Sequence, residues 1–144
     1  MTTRPAAVAG SFYPDQDAQL REMVQDCLRQ ARAERTAAAP KALIVPHAGY
    51  VYSGTTAGRA YARLAAARDT IRRVVLLGPA HRVALRGLAL PDVDEFATPL
   101  GRVPVDAAAR ARLAQFDQVV RSDEAHATEH SLEVQLPFLQ QVLG

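Results

Sequence analysis

Two short apolar runs constrain the fold of this chain more than any other feature. Ala42-Leu43-Ile44-Val45 and Val74-Val75-Leu76-Leu77 are continuous, not alternating, and each ends in a Pro/Gly turn: Pro46-His47-Ala48-Gly49 and Gly78-Pro79-Ala80-His81. Such runs, bounded by turn residues, read as strands buried on both faces, the kind found in parallel sheets. Between them, residues 56–67 carry Ala60, Tyr61 and Leu64 at helical spacing, with Ser53 placed as an N-cap. Strand, helix, strand is the βαβ unit, whose crossover is right-handed in nearly all proteins. The pattern predicts an α/β fold with a mostly parallel or mixed sheet flanked by helices.

The flanking segments fit that class. Residues 4–14 read as an extended lead-in with turns at Arg4-Pro5, Gly10-Ser11 and Tyr13-Pro14. Asp15 or Asp17 can then cap a helix in which Leu20, Met23, Val24, Cys27 and Leu28 share one face; the stretch 37–40 ends it. Cys27 on that stripe reads as a small buried apolar residue. Further on, residues 87–90 predict a third strand, residues 98–101 a turn, and Asp106 a helix cap. Val119-Val120 predicts a short strand and residues 131–143 a helix. Pro137 inside that helix costs about 3 kcal/mol unless the helix kinks or restarts there.

Composition narrows the function classes. With 144 residues, 49% of them hydrophobic and 22% charged, the chain can bury the core of a single domain spanning residues 1–144. One cysteine, Cys27, excludes an internal disulfide framework and a multi-cysteine zinc site. The net charge is only +2, and the arginines are spread along the chain, some interleaved with acids as at Arg21-Glu22 and residues 32–35, others set among alanines as at residues 110–112. Arg72-Arg73 is the one basic pair of note and there is no tryptophan, so no basic stripe with stacking aromatics offers itself to nucleic acid. No apolar run approaches the ~18–20 residues of a membrane span, and residues 1–10 lack a signal-peptide pattern. A cytoplasmic protein without nucleic-acid or membrane partners is expected.

Chemistry points to the histidines. His47 and His81 stand at the carboxyl ends of the two expected strands, the edge where open α/β sheets bind ligands. Neighbouring parallel strands lie about 4.8 Å apart, so imidazoles from their ends could converge on one divalent cation. The alternative is that each histidine merely caps its strand and bonds to backbone. Tyr50, Tyr52 and Ser53 lie beside the His47 turn; the tyrosines either line a pocket or pack as core edge. A further cluster, His126 with Glu129-His130, matches the H-x-x-E-H string of inverted zincin peptidases. Because a helix start is expected near Thr128 or Ser131, His126 should fall in a loop. A solvated acidic loop leading into a helix is then the plainer reading. Glu133 in the first turn complements the helix dipole. No G-x-G-x-x-G, Walker A or G-x-S-x-G string is present, and Gly54 and Gly58 are too scattered for a phosphate loop.

Four strings in order carry a family resemblance. They are Arg-Pro-Ala-Ala-Val-Ala-Gly-Ser-Phe-Tyr-Pro from Arg4, Pro-His-Ala-Gly-Tyr-Val-Tyr-Ser-Gly from Pro46, Leu-Gly-Pro-Ala-His ending at His81, and Glu-His-Ser-Leu-Glu-Val-Gln-Leu-Pro-Phe from Glu129. In these the chain resembles the MEMO family, whose prokaryotic members are also called AmmeMemoRadiSam system protein B. The resemblance implies a fold of the class III extradiol dioxygenase kind, whose members use non-haem iron(II). It also implies a pocket formed by two histidines and a cysteine. Carried over, the histidines are His47 and His81, with His130 in the Glu-His-Ser string facing the same pocket. Cys27 does not match the family's cysteine, which lies well downstream, and His126 belongs to none of the strings. Family members are longer, so this chain is expected to be the N-terminal part of a larger domain lacking its C-terminal part.

The expected function is therefore a MEMO-like protein with a vestigial or incomplete metal and ligand pocket, holding iron(II), another divalent transition metal, or none. Its ligand would be a small molecule or peptide. An exposed sheet edge predicts a homo-oligomer or a completing C-terminal polypeptide. The alternatives are a non-haem iron oxidoreductase of extradiol dioxygenase type and, less favoured, an inverted-zincin metallopeptidase. No catalysis is expected from this chain alone.

Overall fold

The computed structural model describes residues 1–30 and 39–144. The charges at 32–35 and the start of the 37–40 stretch fall outside the described residues. Helix α1 spans Asp17–Arg29 and α2 spans Tyr50–Ala62. Both pack against α5, Leu136–Leu143. The core is where these three helices meet. Leu20 and Val24 from α1, Tyr50, Ala57 and Tyr61 from α2, and Phe138 and Val142 from α5 are all buried. Cys27 belongs to this core, as its helical stripe predicts.

Two small sheets flank the helices. Strand β1 (Thr3–Arg4) pairs in parallel with β3 (Glu95–Thr98), which pairs antiparallel with β4 (Gly101–Pro104). Strand β2 (Leu88–Leu90) pairs in parallel with β5 (Val119–Arg121). The protein is thus α/β, with one mixed and one parallel sheet among the described residues. The β3–β4 hairpin turns at the expected 98–101 segment, and the strands expected at 87–90 and 119–120 are β2 and β5. Helix α3 (Ala107–Leu113) has Asp106 at its cap, where the carboxylate accepts a 2.8 Å hydrogen bond from the Ala109 N–H. The one-turn helix α4 covers Glu124–Ala127. At the C-terminal end a 3-10 turn (Glu133–Gln135) runs into α5, with Pro137 in its first turn. The helix therefore restarts at the proline, whose missing N–H costs nothing there.

Several expectations are corrected. Neither apolar run, 42–45 or 74–77, joins a hydrogen-bonded ladder among the described residues. Leu43 and Val45 pack against the core while Ile44, between them, is fully exposed; Val75 and Leu77 are exposed too. The in-out-in alternation at 43–45 is that of a pleated strand. Strand status also needs neighbours in space, and no described segment supplies them. Helix α2 begins at Tyr50, behind Gly49, so Ser53 is not an N-cap. It lies one turn inside, buried, and donates its hydroxyl to the Ala48 carbonyl at 3.0 Å. Helix α1 starts at Asp17 behind Gln16, and no side chain caps it. His126 lies in α4, not in a loop. No described helix is long and apolar enough to cross a membrane.

Candidate metal centre

His47 leads into α2, His81 follows the second apolar run, and His130 precedes the 3-10 turn before α5. The fold brings all three together: their ligand atoms lie within 4.8 Å of one another. The His81 and His130 rings stack, with centroids 4.7 Å apart and planes 9° from parallel. His47 sits 5.3 Å from His81 and 5.8 Å from His130, ring to ring. His81 is the most exposed of the three, so the cluster opens to solvent on its side. Phe12 closes another side, its ring 4.6 Å from that of His130.

Glu129 sits beneath the cluster. Its Oε1 accepts hydrogen bonds from the backbone N–H groups of His130 (2.8 Å) and Ser131 (2.9 Å) and lies 2.9 Å from His81 Nδ1. Its Oε2 accepts a short hydrogen bond from the His81 backbone N–H. One carboxylate thus ties the loop holding His81 to the segment holding His130. Ser131 adds a second tie, donating its hydroxyl to the Pro79 carbonyl at 2.8 Å. Gly78 makes the approach possible: a Cβ there would lie 2.7 Å from Ser131 Oγ. Burial alone would raise the Glu129 carboxyl, but the donors from His81, Ser131 and His130 outweigh it and hold the group at about 2. For His130, burial pushes the imidazole below its ordinary value. His81, His47 and Arg82 act the same way and the Glu129 charge opposes them.

The remaining candidates are placed elsewhere. Tyr50 is a core residue that donates its hydroxyl to the Val134 carbonyl at 2.6 Å and packs its ring on Tyr13 and Phe138. Tyr52 points to solvent. Ser53 bonds to the backbone of its own helix entry. His126 is buried under β2 and β3, with its Nε2 3.1 Å from the Ala89 carbonyl and its ring edge-on to Phe96. It takes no part in the three-histidine cluster. The H-x-x-E-H reading is corrected on this point: the chain leaves helical geometry after Thr128, so His126 and His130 never share a helix face. A cavity of about 990 Å³ between the hairpin, α5 and residues 71–76 is lined in part by His126 but by none of His47, His81 and His130, and it is donor geometry, not volume, that marks the site.

Burial also pushes the His126 imidazole below its ordinary value. Arg4 acts in the same direction, while the bond to Ala89 and the charges of Asp123 and Glu129 oppose it. A depressed folded value means that the unfolded chain takes up this proton first. The stability that His126 contributes is complete above the unfolded value of about 6.5 and is lost as pH falls below it. The urea midpoint should therefore drop between about pH 7.5 and 5.5, and His126→Gln should flatten that drop. An equal drop in both proteins would remove His126 as its source.

Sequence reasoning missed two acidic residues. Glu129 stood out only as a member of the peptidase string and of the fourth family string, with no site role of its own at the histidine pair. Glu133, read as a helix-dipole partner, is a fully buried carboxylate paired with buried Arg4. It also accepts from the N–H groups of Ala7 (2.9 Å) and Val8 (3.0 Å) and from the Tyr13 hydroxyl. Its position inside the fourth family string, at i+4 from Glu129, was the available signal.

Fold and site together define a class: an α/β protein in which three loops gather imidazoles above a buried carboxylate. Comparison with known proteins assigns the family. The sequence model of the Memo-like protein family matches residues 4–144, and the chain belongs to that family. A MEMO1 family protein of Aquifex aeolicus (strain VF5) is 39% identical over 140 residues, 97% of this chain and 50% of the relative. One from Pyrococcus furiosus is 42% identical over 139 residues, covering 95% and 47% of the two chains. The protein memo-1 homolog of Caenorhabditis elegans is 40% identical over 145 residues, covering 99% and 40%. The chain thus spans about half the length of the curated relatives it matches.

Proposed function

We propose that this MEMO-family chain acts in the cytoplasm as a metal- and ligand-binding protein. His47, His81 and His130 supply the imidazoles for one divalent transition metal, within a fold of the extradiol dioxygenase-like kind. The supporting observation is the convergence of three ligand atoms within 4.8 Å. Metal–nitrogen bonds of 2.0–2.1 Å put adjacent ligand nitrogens about 3 Å apart, so small side-chain adjustments suffice. Neutral imidazole suits iron, copper, nickel and zinc alike, and iron(II) is one member of that set. A bound ion would supply Lewis acidity and open coordination positions for a small-molecule or peptide donor. The chain's own residues hold the imidazoles, open one face to solvent at His81 and shield another with Phe12. His130 supplies the third donor that the His47–His81 pair lacks.

Titration calorimetry of the chelator-stripped protein with zinc tests the proposal. Spreading the ~10–16 kcal/mol of a structural zinc site over its ligands gives about 3 kcal/mol each, so His47→Ala, His81→Ala and His130→Ala should each weaken binding roughly a hundredfold. His126→Ala should leave it unchanged. Wild-type affinity in both His47→Ala and His81→Ala would sink the shared site.

A further inference from the structure

Metal-ligating histidines commonly donate their second ring N–H to a carboxylate, which fixes the tautomer and the ring orientation. Glu129 is the only carboxylate that bridges two arms of this cluster among the hydrogen bonds of the described residues, and it is buried. It touches His81 twice, at the backbone N–H and at Nδ1, so the ring cannot rotate about its Cβ without breaking the second contact. The same Oε1 lies 3.4 Å from His130 Nδ1 and accepts the N–H groups that fix the His130 backbone.

From this geometry we propose that Glu129 is a positioning residue of the metal centre. Accepting the Nδ1–H of His81, it presents Nε2 of that ring to the ion, and its negative charge favours a divalent cation over an empty site. The role rests on the metal reading above and extends it to a residue outside the ligand set. Glutamine at this position keeps the shape but not the charge. Its amide must also turn an NH₂ toward either the His81 backbone N–H or the Oε1 donors, so one contact becomes donor against donor. The expected consequence is a loosened His81 ring with its tautomer no longer enforced.

Cobalt(II) is a suitable probe because its visible bands report ligand geometry. Relative to the wild type, Glu129→Gln should raise the cobalt Kd by about 10–100-fold and shift the d–d bands. Unchanged Kd and bands, with only a lower Tm, would make Glu129 a structural residue and overturn the proposal. Should the variant fail to fold, ¹⁵N imidazole NMR of the zinc-loaded wild type decides: His81 protonated at Nδ1 and ligated through Nε2 supports the role, and ligation through Nδ1 overturns it. A wild type that takes up no metal would remove the metal reading itself, an outcome distinct from a metal site indifferent to Glu129→Gln.

Discussion

Glu133→Ala should lower the folding free energy by roughly 3–5 kcal/mol, as expected when one partner of a buried ion pair is removed. The Glu133 side chain is wholly buried and that of Arg4 is 4% exposed. Without the carboxylate, Arg4 keeps the carbonyls of His126 and Glu129 and the face of the Phe96 ring, and its positive charge stays buried without a counterion among the described residues. The N–H groups of Ala7 and Val8 and the hydroxyl of Tyr13 lose their acceptor as well. Glu133→Gln should cost less, because the amide oxygen still accepts. Replacing both Arg4 and Glu133 with apolar residues of similar volume should recover part of the loss. Urea unfolding measures all three, and a loss below about 1 kcal/mol for Glu133→Ala would show that the pair contributes little. The network joins residues 4–13 to 126–133, so the same variant should also weaken zinc binding through His130.

Gly58→Ala comes second. A Cβ at Gly58 would lie 2.4 Å from the Cys27 carbonyl oxygen, a backbone atom that cannot rotate away. Helix propensity favours alanine by about 1 kcal/mol, but overpacking that separates α1 from α2 costs typically 1–3 kcal/mol or more. We expect a net destabilisation of about 2 kcal/mol and a correspondingly lower Tm. Gly54 provides the control. Its added Cβ would meet the Cys27 sulfur at 2.9 Å, a side-chain atom, so Cys27→Ala should relieve Gly54→Ala but not Gly58→Ala. A stabilised Gly58→Ala protein would mean that the helices are not in such close contact.

Much of the local structure was legible because local chemistry decides it. The one-sided stripe of Leu20, Val24 and Cys27 makes α1 amphipathic in any setting. Asp106 caps α3 with its own carboxylate, and Pro137 enforces a helix restart through its missing N–H. The proximity of His47 and His81 was expected too, although the paired strands meant to bring it about do not form among the described residues. Other features were not legible. Strand β1 is two residues long, too short to show an alternating pattern, and exists because β3 lies beside it. Residues 42–45 and 74–77 have strand composition without strand partners among the described residues.

The histidine spacing shows the same division most sharply. His126 and His130 are four apart, which on a continuous helix would place them on one face. Backbone geometry between them sends His126 to Ala89 and His130 to His47 and His81. By itself the sequence determined the main helices, the Asp106 cap and the 98–101 turn, the two imidazoles at the loop ends and the family to which the chain belongs. The family string already set His130 at the same pocket; only the tertiary structure decided that Glu129 underlies the three imidazoles and that Glu133 is an ion-pair partner for Arg4. Those contacts join residues separated by 48 positions in one case and 129 in another, and no periodicity encodes a meeting that depends on how whole elements pack.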